Sequence, residues 1–316
     1  LMLTSPTFPE DSLVRMKTAL EMQLKDNMAD QDWWARKTYF AESFKNHPYQ
    51  FSVFGSLESI PNITTNDLRK YAQSNFNLAG IKMAVAGDIT SNSLNEYLDE
   101  NLQKLPANSV KMPPKAKFTS EGQTILVPWN GSDSSILMGF PSINKNDEDW
   151  YSLLLMNYIL GGSSLSSRLM TAVREHNGLT YDIRSYPVNN KLAPFFAITY
   201  MTDKKNNKQA LELVKTELLK IQQQIGDDEI LLAKKYLVNS LPFVFTSSRQ
   251  ISAILLDLEL NDLPTTYFDN YAEKLNKVKI GDVKKIAKQI LDPNRATTVF
   301  VGASKDIDYT RLITPQ

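Results

Sequence analysis

The sequence predicts an α+β fold in which one type of domain occurs more than once, and three observations lead to that prediction. Segments with helical periodicity alternate with short strand-like segments, so both elements contribute. One combination of a helix followed by a strand occurs twice. A segment rich in proline and lysine, Leu105 to Lys117, separates two parts of the 316-residue chain.

The internal repeat is the most informative of these observations. Residues 67–87 and 282–302 align without a gap, and each reads as a helix, a strand and a glycine. The repeat predicts one and a half copies of a domain. Its predicted parts are the back half of an N-terminal copy (1–112), a linker (113–117) and a whole C-terminal copy (118–316). We expect the whole copy to fold alone. The half copy would need a front half, the counterpart of residues 118–215, which we expect to precede Leu1.

Local patterns predict the individual elements. Helical periodicity extends over residues 8–46, with a break near 29–32, and almost throughout 227–291. Further predicted helices lie at 66–75, capped by Thr65, and at 91–105, 148–159 and 205–224. The predicted strands are 81–86, 124–128, 135–140, 194–201 and 295–301.

Composition excludes several classes of protein. Lys+Arg and Asp+Glu each number 35, and no long block of one charge is present, so a nucleic-acid-binding surface is not predicted. The absence of cysteine excludes disulfides, thiolate metal sites and a cysteine nucleophile. No apolar run reaches the length of about 18 residues that would predict a transmembrane helix.

The chain is not predicted to bind a metal by itself. A zinc site needs three protein ligands in a fixed arrangement. The two histidines, His47 and His176, each lack a second histidine or a glutamate at ligand spacing. We expect His47 to shape the turn before Pro48. We expect His176 to be a solvated residue that the dipole favours at a helix end.

The segment from Gly161 to Pro187 carries the candidate site. It reads as a loop, a helix capped by Ser164 or Ser166, a turn at Asn177-Gly178 and a strand that begins at Tyr181. A corner of this kind can present Arg174 and Tyr181 side by side. Both are hydrogen-bond donors that lack the chemistry of a nucleophile. The alternative is a surface Arg174 paired with Glu175 or Asp182, beside a partly buried Tyr181.

The loop before this helix is the second candidate. Gly161, Gly162, Ser163 and Ser164 form either a plain loop or a loop that contacts or gates the substrate. A nucleotide site is not predicted, because the glycines match neither G-x-G-x-x-G nor the Walker motif with its Lys-Ser/Thr.

Two segments resemble a known family. Arg174 to Tyr181, R-E-H-N-G-L-T-Y, resembles the Arg/Tyr motif in the second half of the pitrilysin/insulinase family, which includes mitochondrial processing peptidases and two-subunit bacterial relatives. The preceding L-G-G-S-S-L-S-S-R-L (160–169) is similar to that family's glycine-rich loop and helix start. Residues 47–68, from H-P-Y-Q to N-D-L, are similar to its HPY…G…ESI…IT…DL segment. The resemblance covers nearly the whole chain.

The resemblance implies two homologous α+β domains, each an antiparallel sheet covered by helices. It also implies zinc bound by an inverted His-x-x-Glu-His motif, which this sequence lacks. The family's third ligand is a glutamate on a helix that corresponds to residues 13–25. The alignment places Gln23 near that position, with Glu21 close by, and an uncharged Gln is a poor zinc ligand.

By this resemblance the chain is expected to be a subunit of a zinc-dependent endopeptidase that acts on unfolded peptides. Arg174 and Tyr181 would donate hydrogen bonds to the substrate carbonyl. Zinc would be held by a homologous partner chain or a missing N-terminal segment, so the chain alone is not expected to cleave peptides. The alternative is an inactive homologue that serves as an assembly scaffold. The two-subunit bacterial relatives favour a periplasmic or cell-envelope location.

Overall fold

The computed structural model describes residues 3–107, 112–163, 166–303 and 305–314. The α-helices in these residues are α1 (Glu10–Met28), α2 (Gln31–Ser43), α3 (Thr65–Asn75), α4 (Ser91–Leu102), α5 (Trp150–Asn157), α6 (Asn207–Gln223), α7 (Asp227–Ser240), α8 (Ser248–Leu260), α9 (Tyr271–Lys277) and α10 (Ile280–Ile290). The strands are β1 (Thr124–Val127), β2 (Asp133–Pro141), β3 (Ile183–Val188), β4 (Phe195–Asp203), β5 (Thr297–Val301) and β6 (Arg311–Leu312). None of the described helices combines the length and apolar character that a membrane crossing requires.

The chain forms two compact units, and neither is continuous in sequence. Unit 1 comprises residues 1–29, 52–113 and 242–265, and unit 2 comprises residues 30–51, 114–241 and 266–316. This division describes compactness and does not test the repeat boundaries at 112 and 118, which stay a prediction.

Unit 2 is built on a six-stranded sheet with the order β3-β4-β2-β5-β1-β6. β2 pairs antiparallel with both β4 and β5, and β3 pairs antiparallel with β4. β1 pairs in parallel with β5 and β6. The predicted α+β fold with a sheet covered by helices is confirmed. The sheet is mixed, because its β5-β1-β6 end is parallel.

Helices cover both faces of this sheet. Neighbouring residues of a strand point to opposite faces, and two serines of β2 show which helix lies on each. Ser134 Oγ donates to Asn207 Oδ1 on α6 at 3.1 Å, whereas the Ser135 hydroxyl donates to Asp32 on α2. The sheet therefore lies between α6 and α2. This explains why every residue of β5 is buried.

The α2 side of the sheet has an aromatic core. Tyr39 is fully buried, and its ring centroid lies 5.1 Å from that of Phe195 on β4. Phe40 and Phe44 pack around the same ring at 5.6 and 6.4 Å from Phe195. Because α2 precedes the linker, a fragment of residues 118–316 would lose this cover. Independent folding of residues 118–316 stays a prediction, and it would have to occur without α2.

His47 ties the turn after α2 to the linker. Its Nδ1 accepts the backbone N–H of Tyr49 at 3.2 Å. The tautomer that allows this bond carries its proton on Nε2, which donates to the Pro114 carbonyl at 3.0 Å. The side chain is buried. The predicted turn-shaping role of His47 is confirmed.

Unit 1 is helical in its described residues. α3 begins with a capping box in which Thr64 Oγ1 accepts from Asp67 N–H and the Asp67 carboxylate accepts from Thr64 N–H. The cap is therefore Thr64, one residue before the prediction. The predicted strand 81–86 does not form, and Met83 and Val85 are exposed. A strand needs partners for its backbone groups. The equivalent strand β5 has β1 and β2, whereas the described part of unit 1 contains no strand.

The packing of α2 on β2 leaves no room for a side chain at Gly139, and this can be tested. A Cβ atom there would lie 2.3 Å from the ring of Tyr39, so Gly139→Ala must displace a buried aromatic side chain. We expect a loss of about 1–3 kcal/mol in unfolding free energy, measured by urea unfolding of the whole chain.

Gly281→Ala is the matched control. Position 281 lies in α10 and has open space where its Cβ would stand. The control substitution should be neutral or stabilise the chain by roughly 0.5–1 kcal/mol. Equal unfolding midpoints for the two variants would contradict the described contact between α2 and β2.

Candidate functional site

The helix that carries Arg174 is shorter and wound differently than predicted. Residues Met170–Glu175 are π-helical, and the His176 N–H bonds to the Thr171 carbonyl at 3.0 Å. Such segments are rare and occur frequently at functional sites. The predicted end of the helix is confirmed, because Gly178 has φ +61°. The predicted cap Ser164 lies outside the described residues.

Tyr181 does not begin the following strand, which corrects the prediction. β3 starts at Ile183, and its buried and exposed residues alternate as expected. Thr180 Oγ1 accepts the Asp182 N–H at 3.2 Å and donates to the Asp182 carbonyl at 2.8 Å. This local turn competes with strand pairing. Tyr181 therefore stands before the strand with 94% of its surface exposed.

Arg174 and Tyr181 line the same cavity of about 630 Å³ in unit 2. The cavity lies where β3 and β4 separate. Besides Arg174, its walls are formed by residues 178–182, by residues 199–203, by Asn206 and by one residue each from α2 and β2. The structure therefore brings together the two side chains that the sequence proposed as a pair.

The hydrogen-bond donors of Arg174 are not taken by a carboxylate within the described chain. Its Nη1 contacts Met170 Sδ at 4.0 Å. Asp182, the partner considered in the alternative interpretation, pairs with Arg184 at 2.8 Å. Arg174 is partly buried. A guanidinium in that position still has N–H groups to offer to a ligand.

The other charged side chains of the cavity are aspartates. Each of them already has a hydrogen-bond or ion-pair partner that does not line the cavity: Ser135 for Asp32, Ser132 for Asp133, Arg184 for Asp182 and Lys205 for Asp203. Sequence analysis missed Asp32, Asp133 and Asp203, because they come from three distant elements and share no local motif. Tyr200 also lines the cavity, and burial raises its pKa, which keeps the phenol neutral.

The described residues do not fit the zinc that the family resemblance implies. No group of three or more His, Cys, Asp or Glu among them is arranged to hold a metal. The cavity aspartates are already hydrogen-bonded or ion-paired elsewhere. The cavity can therefore bind polar groups, but its described lining contains no histidine, cysteine or serine that would act as a nucleophile or its base.

Gly161 and Gly162 end a π-helical segment, Tyr158–Gly162, which corrects the prediction of a loop at these two residues. Gly161 packs closely against β3. A Cβ at Gly161 would lie 2.6 Å from Ser185 Oγ, and one at Gly162 would lie 2.5 Å from Asn157 Nδ2. Ser163 Oγ and Ser166 Oγ are 2.8 Å apart. The described loop residues do not line the cavity, and Ser164 lies outside the described residues. The close approach explains the glycines, and a substrate contact by this loop stays a prediction.

Comparison with known proteins places this architecture in a class of peptidase-like modules. The family described as the peptidase M16 inactive domain matches residues 62–237, more than half of the chain. The chain therefore belongs to the peptidase M16 inactive-domain family. This confirms the resemblance that the two sequence motifs indicated.

Three relatives show how far the similarity extends. The non-peptidase homolog YmxG of Helicobacter pylori is 25% identical, with 96% of this chain and 71% of that protein covered. The uncharacterized zinc protease YmxG of Bacillus subtilis is 23% identical, with 93% and 71% covered. A crystal structure of a peptidase M16 inactive domain from Pseudomonas fluorescens superposes with a TM-score of 0.85 at 23% identity, with 98% and 74% covered.

An ion pair anchors the segment that precedes Arg174. Arg168 donates from Nε and Nη2 to the two carboxylate oxygens of Glu229, at 2.7 and 2.6 Å. Glu229 also accepts the Gly226 N–H at 2.7 Å. The Arg168 guanidinium, together with this backbone bond, holds the pKa of Glu229 below its ordinary value of 4.5.

The lowered pKa predicts a pH dependence of stability. The unfolded chain binds a proton at Glu229 at higher pH than the folded chain does. The ionised carboxylate therefore stabilises the fold above about pH 4.5, and this contribution is lost as pH falls through the folded pKa. We expect the melting temperatures of wild type and Glu229→Gln to differ most near neutral pH and to converge in acid. A difference that stays constant in thermal melts from about pH 7 to well below pH 4.5 would contradict the assignment.

Proposed function

We propose that this chain is the substrate-holding subunit of a zinc-dependent endopeptidase that acts on unfolded peptides. Arg174 and Tyr181 are its peptide-contacting residues in this proposal. The observation that carries it is the cavity lined by both side chains, where Arg174 forms no ion pair with a described carboxylate. The metal and the hydrolytic chemistry would come from a homologous His-x-x-Glu-His chain or segment.

The two side chains suit a peptide carbonyl. A guanidinium offers several N–H groups in a rigid plane, and a phenol offers one O–H. Donors fixed around a carbonyl oxygen bind it more strongly as negative charge develops on that oxygen. Tyr181 is exposed and Arg174 is partly buried. A peptide carbonyl that enters the cavity could therefore accept hydrogen bonds from both side chains.

The end of the β3-β4 ladder supports an extended substrate. The pairing stops at Ile183 and Tyr200, whereas β4 continues to Asp203. On the side of the cavity, residues 201–203 have no described strand partner. A peptide backbone that adds there as a strand would gain main-chain hydrogen bonds and pass Arg174 and Tyr181.

The rival proposal is an assembly scaffold without a role in cleavage. It is favoured by the name of the Helicobacter pylori relative, a non-peptidase homolog, and by the match to an inactive domain. The two proposals differ in what they require of the cavity. A scaffold needs the fold of unit 2, but it does not need the phenol of Tyr181.

Tyr181→Phe separates the two proposals. If the phenol donates to the reacting carbonyl, kcat of the complex reconstituted with a His-x-x-Glu-His partner should fall by about 10²–10³, or roughly 2.7–4 kcal/mol. Arg174→Lys should also lower kcat, because the ammonium of lysine lacks the planar, forked set of N–H donors that a guanidinium presents. Peptide cleavage and a melting curve are measured for each variant.

The chain offers matched controls at exposed positions of unit 2. Tyr186→Phe and Arg295→Lys make the same chemical changes at residues that do not line the cavity. Both controls should keep wild-type turnover. Wild-type kcat from Tyr181→Phe, at a melting temperature equal to that of Tyr186→Phe, would leave the scaffold as the better account.

Metal content gives an independent prediction. Because the described residues offer no three-ligand group, the chain purified alone should bind no stoichiometric zinc and cleave no peptide. Elemental analysis after dialysis against a mild chelator measures this. About one retained zinc per chain would contradict the proposal that the metal belongs to a partner chain or segment.

A further inference from the structure

The ion pair between Arg168 and Glu229 holds the Arg168 side chain in one position. Arg168 is 16% exposed, and its Nη2 also donates to the Gln224 carbonyl at 2.8 Å. Three acceptors therefore hold one guanidinium at the junction between α6 and α7. Such a bidentate pair fixes direction as well as distance.

The anchored residue and Arg174 belong to the same short segment. They are six residues apart, so in a helix they point to clearly different sides. Arg168 points to the α6–α7 junction, while Arg174 reaches the cavity. At the other end of the segment, Asn177 Nδ2 donates to the Ala172 carbonyl at 2.7 Å, and Thr202 Oγ1 donates to the Leu179 carbonyl at 2.6 Å.

The direction in which the Arg174 side chain points depends on how the helix between these anchors is wound, and therefore on the anchors themselves. A backbone hydrogen bond of a π-helix spans five residues, one more than in an α-helix, and the π-helix is the rarer form. If Met170–Glu175 relaxed to α-helix, the side chain of Arg174 would rotate relative to the cavity. The segment is too short to fix its own winding, so contacts with the rest of unit 2 have to restrain it. These contacts are the buried side chains of Met170 and Val173 and the anchors at the two ends.

We propose that Arg168 and Glu229 are positioning residues for Arg174: their ion pair sets the direction in which the Arg174 guanidinium enters the cavity. This inference rests on the proposed function for its effect on turnover. Its structural part concerns only the Arg174 side chain, which is observable without a substrate.

The first experiment observes that side chain directly. The Nε–Hε signals of Arg174 and Arg184 are recorded by ¹⁵N NMR in the whole chain for wild type, Arg168→Lys and Glu229→Gln. Lysine keeps the charge of Arg168 but cannot form the fork. We expect the Arg174 signal to shift or broaden in both variants while the Arg184 signal stays unchanged.

Glu121→Gln is the control for loss of an ion pair in unit 2. Glu121 pairs with Arg295 at 2.8 Å, and neither residue lines the cavity. This control should leave the Arg174 signal in place. A wild-type Arg174 signal in both Arg168→Lys and Glu229→Gln overturns the proposal, whatever their turnover.

The second experiment is a double-mutant cycle in the peptide-cleavage assay. Arg168→Lys should lower kcat by about tenfold to a hundredfold, as a misplaced binding group does. If Arg168 acts through Arg174, the double variant with Arg174→Lys should lose no more than Arg174→Lys alone. If the double variant instead shows the product of the two single-variant losses in kcat, Arg168 acts independently of Arg174 through a general structural effect. That result would overturn the positioning role. A moved Arg174 signal combined with wild-type turnover from Arg174→Lys would support the positioning and overturn the proposed function instead.

Discussion

The point at which β3 separates from β4 is the constraint on which the candidate site depends. β4 stays paired with β2 as far as Asp203, but its ladder with β3 ends at Ile183 and Tyr200. The Thr180 turn interrupts the chain before β3, and the Thr202 hydroxyl bond attaches the Leu179 carbonyl to β4 through a side chain in place of backbone pairing. This separation opens the cavity, leaves one edge of β4 unpaired and places Tyr181 in solvent.

The chemistry of the chain follows from what surrounds that opening. Arg174 and Tyr181 supply donors, whereas the aspartates of the cavity are already paired, so the described residues bind more readily than they react. The glycines of the preceding loop allow close packing on Ser185 and Asn157. In the proposed function such a module would hold a peptide and leave bond cleavage to another chain or segment, which is compatible with its membership of the M16 inactive-domain family.

The sequence predicted those features that local chemistry determines. Strands β1, β2, β4 and β5 were found because buried apolar residues form short runs, and Gly178 was found because a helix end needs positive φ. Three features depend on distant residues and were missed: the π-helical winding before Glu175, the packing of Tyr39 on Gly139, and Asp32 in the cavity. The strand predicted at 81–86 has the right local pattern, but its described surroundings provide no strand to pair with.

The central claim is that Arg174 and Tyr181 bind the backbone of an extended peptide. The most direct measurement is an NMR titration of the whole chain with an unfolded peptide, following the Arg174 Nε–Hε signal and the ring signals of Tyr181. We expect saturable shifts of both with one dissociation constant, while Arg295 and Tyr186 stay unchanged. Peptide binding that leaves the Arg174 and Tyr181 signals in place would contradict the account.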